Sequence, residues 1–180
     1  MALDPKPGVP PSASPTRDPD RLVSELFQSE YHALVRLASL VLNGREAAEE
    51  VVQDAFVKLY RKSGRIKDPS RADAYLRSIV MNGARSKLRR REVARRHRPE
   101  PPPDAKGADV DVMMRDESRH FLDAIQALPE RQADCIILRF YEELTEADTA
   151  DTLGISRSTV NTHVERGLDA LATVLEDDDE

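Results

Sequence analysis

The segment from Thr145 to Leu168 admits few folds. Thr145 stands where a helix N-cap belongs, and Asp148 lies three positions on, where a capping box places its acceptor. Ala147, Ala150 and Leu153 give the following helix a narrow apolar stripe. Gly154 can adopt the left-handed conformation that ends a helix, Ile155 drops under the turn, and Ser156 caps a second helix. Along that second helix Val160, Val164, Gly167, Leu168 and Leu171 recur at helical spacing and predict an inner face. The outward face carries Ser158, Thr162, Glu165 and Arg166, with Thr159 and Asn161 at its margins. The pattern is that of a helix-turn-helix, whose second helix can enter a DNA major groove. Short hydroxyl and amide side chains beside an arginine suit base edges and phosphates. An ordinary helical hairpin with a solvated face is the plainer alternative.

Charge and cysteine usage narrow the class. The 180 residues carry a formal charge of -6, which argues against a protein that coats nucleic acid on its own. The distribution is uneven. Arg85, Lys87, Arg89, Arg90, Arg91, Arg95, Arg96 and Arg98 face only Glu92 within one stretch, whereas Glu176 to Glu180 is purely acidic. Such a cationic run exceeds what a helix C-terminus needs to complement its dipole, and it suits phosphates. The single cysteine, Cys135, excludes an intramolecular disulfide framework, fits a reducing cytoplasm and reads as a buried structural thiol in its apolar run. The N-terminus lacks a basic region followed by an apolar core, so no signal peptide is expected, and no apolar run is long enough to span a bilayer.

Periodicity predicts an all-α chain: two small helical domains joined by a flexible Pro-rich linker, the second containing the helix-turn-helix. Residues 1–19 read as a disordered segment and 20–97 as a first domain of three helices. The first helix carries Val23, Leu26, Phe27, Leu34, Leu37, Ala38 and Val41 and stops at Asn43-Gly44. The second presents Val51, Val52, Ala55, Phe56, Leu59 and Tyr60 to the core and ends at Ser63-Gly64. Ser70 is placed to cap the third, whose buried face is Tyr75, Leu76, Ile79, Val80, Ala84 and Leu88. Residues 98–112, with Pro99, Pro101, Pro102 and Pro103, read as the linker, 113–175 as the second domain and 176–180 as an acidic tail. In the second domain Phe121, Leu122, Ile125 and Leu128 define one helix, and Pro129 starts another that runs through Phe140.

Three segments in this order resemble the bacterial extracytoplasmic-function (ECF) sigma factors. Glu49 to Leu59 is similar to the Asp-Leu-Val-Gln-Glu-x-Phe pattern of the family's second helix. Ala74 to Arg90 resembles its promoter-melting helix. Leu128 to Gln132, Leu138 to Tyr141 and the helix-turn-helix resemble its second domain.

The resemblance implies a sigma factor that binds core RNA polymerase and directs promoter recognition, DNA melting and initiation. Its implied polymerase partners are the clamp of the largest subunit and the flap of the second. Glu50, Val51, Gln53 and Asp54 would dock on the clamp, although Gln53 and Asp54 read from pattern alone as a solvated face. For the minus-ten element it implies Lys67, Asp68, Ser70, Arg71, Asn82, Arg85, Lys87 and Arg89. For the minus-thirty-five element it implies Arg157, Ser158, Thr159, Asn161, Thr162 and Arg166. Tyr75 stands where the family often has tryptophan, with core packing as its alternative role, and Thr149 replaces a usual isoleucine. An anti-sigma factor is a further candidate partner; a membrane is not. No catalytic residue, metal ligand set or cofactor motif is expected, and His163 reads as structural. The rival within DNA binding is a helix-turn-helix regulator that acts without being a polymerase subunit. A protein-only helical adaptor is the rival from another class.

Overall fold

The computed structural model describes residues 19–66, 68–96 and 116–177. The N-terminal segment to residue 18, Lys67, the proposed linker and the last acidic residues lie outside them. Among the described residues every regular element is helical: α1 Pro19–Leu42, α2 Arg45–Lys62, α3 Ala72–Arg96, α4 Asp116–Ala127, α5 Glu130–Ile136, α6 Glu146–Leu153 and α7 Arg157–Asp177.

Helices α1, α2 and α3 form the first group. The leucines and alanines of α1 (Leu34, Leu37, Ala38, Leu42) meet Ala48, Val52, Ala55 and Leu59 of α2, with Leu76, Val80, Met81 and Ala84 of α3 closing the core. Burial at this 3.6-residue spacing is what gives each helix its stability, since propensity alone would not hold it. The α1–α2 turn is tight: Asn43 takes φ 50 and its N–H donates to the Ser39 carbonyl at 2.9 Å. At the α2–α3 crossing Gly83 lets the helices close up, because a Cβ there would lie 3.0 Å from Cγ1 of Val51. Near the start of α1, Phe27 stacks edge-on to Phe56 with ring centroids 5.1 Å apart.

The second group is built around α5. Residues Ala133 to Leu138 are all buried, six in succession, so this helix is covered on every side instead of along one stripe. From Ile137 to Tyr141 it widens into a π turn, in which the Glu142 N–H donates to the Ile137 carbonyl at 3.1 Å. The widened turn buries Leu138 and sends Phe140 and Tyr141 to the surface. Cys135, Ala150 and Val160 form the small core under α6 and α7, while Ala133, Ile136, Ile137 and Leu171 join the apolar cluster of the first group. That cluster therefore runs through both groups. A cavity of about 150 Å³ lies between them, lined by Leu40, Val41, Leu88, Ile125, Ala133 and Ile137 among others.

Several side chains depart from the sequence expectation. Tyr60 and Phe121 are exposed, as is Leu168 at 44%; each lies at the edge of its helix's apolar arc, beyond what the neighbouring helices cover. Tyr75 is exposed at 36%, and its hydroxyl accepts from Lys62 Nζ at 3.0 Å instead of packing into the core. Ser70 does not start α3 as its cap. Asp68 caps a short 3-10 turn over Pro69–Arg71, accepting from the Ser70 N–H at 3.0 Å and the Ser70 hydroxyl at 2.6 Å. Pro129 is the N-cap of α5, one position before the first turn.

Gly83→Leu should destabilise the protein by about 1–3 kcal/mol, because a large side chain must push α2 away. Thermal melts followed by circular dichroism would measure this, and an unchanged midpoint would contradict the close crossing.

Candidate nucleic-acid interface

The helix-turn-helix forms as its residues dictate. The Asp148 N–H donates to Thr145 Oγ1 at 3.1 Å, and the Thr145 hydroxyl donates to Asp148 Oδ2 at 2.6 Å. Gly154 sits at φ 66, ψ 37 and closes α6, with its N–H donating to the Ala150 carbonyl. The Thr159 N–H donates to Ser156 Oγ at 3.1 Å, so Ser156 caps α7. Val160 and Leu171 are buried, and Gly167 fits against Ile136, whose Cγ1 would stand 3.0 Å from a Cβ. Arg157, Ser158, Asn161, Thr162, Glu165 and Arg166 are all exposed. They form one polar stripe opposite the core. Thr159 is half-buried, its hydroxyl 2.7 Å from Ser156 Oγ, which places it in the cap and not on that stripe. His163 is half-buried at the margin.

The cationic helix is α3. Asn82 and Arg89 are exposed, while Arg85 and Lys87 are partly covered. Lys87 pairs with Glu50 of α2, and this contact holds the Glu50 carboxyl below the usual carboxylate range. Gln53 and Asp54 are exposed beside Glu50. Val51 is not: it is buried against Gly83, so of the four residues expected on the clamp-docking face only the three polar ones reach the surface. Asp68, Ser70 and Arg71 lie together in the exposed turn before α3.

Among the described residues, four ion pairs join the two helical groups. Arg85 Nε donates to Asp134 Oδ1 at 2.6 Å, and Arg85 Nη2 also donates to the Glu130 carbonyl at 3.3 Å. Arg89 pairs with Glu130 at 2.9 Å, Arg71 with Asp151 at 2.6 Å and Arg77 with Glu142 at 3.6 Å. Asp134 is only 1% exposed, and desolvation pushes its pKa up against the pull of Arg85. Glu142 is raised for the same reason, with Arg77 and Arg36 opposing. No sequence expectation named Asp134 or Glu142. A signal existed: an aspartate inside the apolar run Ala133 to Leu138 is a charge that must find a partner if the run is buried.

The described residues hold no group of three His, Cys, Asp or Glu side chains able to bind a metal, and no helix among them is long and apolar enough to cross a membrane. Burial pushes the Cys135 thiol from 9.0 up to about 11.

A capped helix-turn-helix with a polar outer stripe, behind a three-helix group bearing a cationic helix, defines a DNA-binding transcription factor. Comparison with known proteins narrows this class. Residues 26–93 match sigma-70 region 2, and residues 118–171 match sigma-70 region 4. The RNA polymerase sigma-E factor of Streptomyces avermitilis is 30% identical over 155 residues, 86% of either chain. The ECF sigma factor SigM of Mycobacterium tuberculosis is 27% identical over 151 residues, 84% of this chain and 76% of that one. In fold, the chain is similar to the sigma factor RpoE of Bartonella quintana, solved with the anti-sigma factor NepR (TM-score 0.66, 22% identity, 85% of this chain and 96% of that chain).

The chain belongs to the sigma-70 family of RNA polymerase sigma factors, in its extracytoplasmic-function group. As such it binds core RNA polymerase and promoter DNA and directs transcription initiation. A free-standing helix-turn-helix regulator has no place for the region 2 match over residues 26–93.

Two outcomes test the local chemistry. Thr145→Ala should cost about 1 kcal/mol in a denaturant titration, through loss of the α6 cap. The folded chain binds the Cys135 proton more tightly than the unfolded chain. Its contribution to stability is therefore complete below about pH 9 and lost as the pH rises towards about 11. The thiol should resist an aromatic disulfide reagent until denaturant is added; immediate reaction in native buffer would contradict its burial.

Proposed function

We propose that the two helical groups divide promoter recognition between them. Residues 20–97 form the unit that holds core polymerase and the minus-ten element. Residues 113–175 form the unit that reads the minus-thirty-five element. The observation that carries this reading is the α7 stripe. Arg157, Ser158, Asn161, Thr162 and Arg166 are exposed together on a helix whose opposite side is locked into the core. Arginine and asparagine there can make paired hydrogen bonds to guanine and adenine edges, and the N-terminal turn of the helix can accept a phosphate.

On the first unit, Glu50, Gln53 and Asp54 supply the contact with the clamp of the largest polymerase subunit; the flap of the second subunit is the partner of the second unit. Val51 supports that contact from the core. Asp68, Ser70, Arg71, Asn82, Arg85, Lys87 and Arg89, with Lys67, serve the minus-ten strand as the duplex opens. Trapping an unstacked base costs a few kcal/mol, which cationic contacts to its backbone help to offset. The chain itself performs no chemistry: RNA synthesis belongs to polymerase, and the protein acts in the cytoplasm. The Bartonella relative was solved with an anti-sigma factor, which makes an inhibitor of that class a candidate partner here.

Reconstitution tests this reading. Core polymerase should initiate at specific promoters of a genomic library only when the protein is added. Asn161→Ala with Arg166→Ala should reduce minus-thirty-five-dependent initiation by roughly tenfold or more while leaving core binding intact. Gln53→Ala with Asp54→Ala should instead weaken core binding. Equal loss of core binding in both variants would overturn the assignment of the two faces.

A further inference from the structure

The cavity between the two helical groups is apolar, and the charge on its wall has one sign. Apart from Asn43, Arg85 and Gln126, every lining residue is aliphatic, and no carboxylate of the described residues lines it. Its volume of about 150 Å³ is that of an apolar cavity that accepts one benzene ring. Asn43 and Gln126 are exposed and mark its mouth. The Gln126 amide donates to the Leu40 carbonyl at 3.1 Å, a bond that ties α4 to α1 at the rim. Ala133 is buried in the wall, where a larger aliphatic side chain would fill the space. Leaving such space costs packing contacts that a filled core would make.

The polar partner in the wall is Arg85. Its Nε and Nη2 donate to Asp134, and Nη2 also donates to the Glu130 carbonyl. Among the described residues Nη1 has no acceptor, and it is not sealed from solvent as Arg77 Nε is. Arg91 adds a second cation, donating from Nη1 to the carbonyl of Leu42, itself part of the wall, at 3.4 Å. We infer that this cavity is a binding site for a small apolar carboxylic acid, whose hydrocarbon part fills the aliphatic space while its carboxylate accepts from Arg85 Nη1. A mostly apolar pocket with a few placed donors, set where two structural units meet, is the form that small-molecule sites take. A guanidinium offers N–H donors in a plane that matches a carboxylate. A neutral molecule of the same shape would cover Nη1 from water without an equal hydrogen bond in return, which selects for the acid. The walls come from α1 and α3 of the first group and from α4 and α5 of the second, so the occupant touches both and stabilises their contact in proportion to its occupancy. Of the residues assigned above to DNA, this ligand site draws only on Arg85.

The test uses the full chain without DNA or polymerase, with benzoate as the probe and benzyl alcohol as its neutral counterpart. Titrations followed by the methyl NMR signals should show benzoate perturbing Leu88, Ile125 and Ile137, with a dissociation constant of about 1 mM or tighter. Benzyl alcohol should bind about tenfold more weakly, because it lacks the charge-assisted hydrogen bond. Arg85→Lys keeps a cation beside Asp134 but removes the free guanidinium nitrogen. It should weaken benzoate binding about tenfold and leave benzyl alcohol binding unchanged. Ala133→Leu should abolish binding of both probes. Should that substitution unfold the chain, Leu88→Phe fills the same space from a half-buried wall position and should do the same. No response at about ten times the expected dissociation constant, or methyl shifts spread to Val160 and Val164 of the helix-turn-helix, would overturn the site. Binding that survives both filling substitutions would place the ligand elsewhere and overturn it as well. Equal affinity for the two probes, or equal benzoate affinity in the wild type and Arg85→Lys, would overturn the assignment of a carboxylic acid.

Discussion

Burial of α5 on all sides is the constraint from which the rest of this structure follows. Ala133 to Leu138 give the helix no solvent face, so α4, α7 and the first helical group must all close over it. The same burial places Asp134 where water cannot solvate it. A carboxylate in that position needs a cation, and Arg85 reaches it from α3. One helix thus sets the apolar packing of the second group and carries two of the four ion pairs with the first, at Glu130 and Asp134. The raised pKa of Asp134 records the tension: desolvation outweighs the arginine that pairs with it.

Under the proposed division of promoter recognition, sigma factor function places two requirements on such a chain, and they call on different physics. Reading duplex DNA needs a rigid helix offered at a defined angle, and the paired caps at Thr145 and Ser156 with the Gly154 turn provide it. Holding a melted strand and a polymerase surface needs charge placed along exposed helix faces. There α2 and α3 are tied by the Lys87–Glu50 pair, which links a residue of the proposed clamp face to one of the proposed strand face. Changes at either position should therefore be read for effects on both contacts.

Much of this was legible before any coordinates. Thr145, Gly154 and Ser156 announced their caps and turn, because those depend on hydrogen bonds spanning three or four residues. The polar stripe of α7 followed from periodicity. Less legible were the edges of the apolar arcs. Tyr60, Tyr75, Phe121 and Leu168 are apolar or aromatic residues at helical spacing, yet they end up outside the packed area. Val51 errs the other way, since a position expected at a polymerase surface is filled by contact with Gly83.

The sequence by itself determined the helices, their caps, the helix-turn-helix and the family, because each rests on local spacing or on motifs in order. Only the tertiary structure decided where the charges meet. Arg85 and Asp134 are 49 positions apart, and Arg71 and Asp151 are 80 apart. No periodicity relates residues at such distances. Their pairing depends on which helix lies over which face, and that is settled where α3 packs on α6 and the apolar cluster continues from the first group into α5.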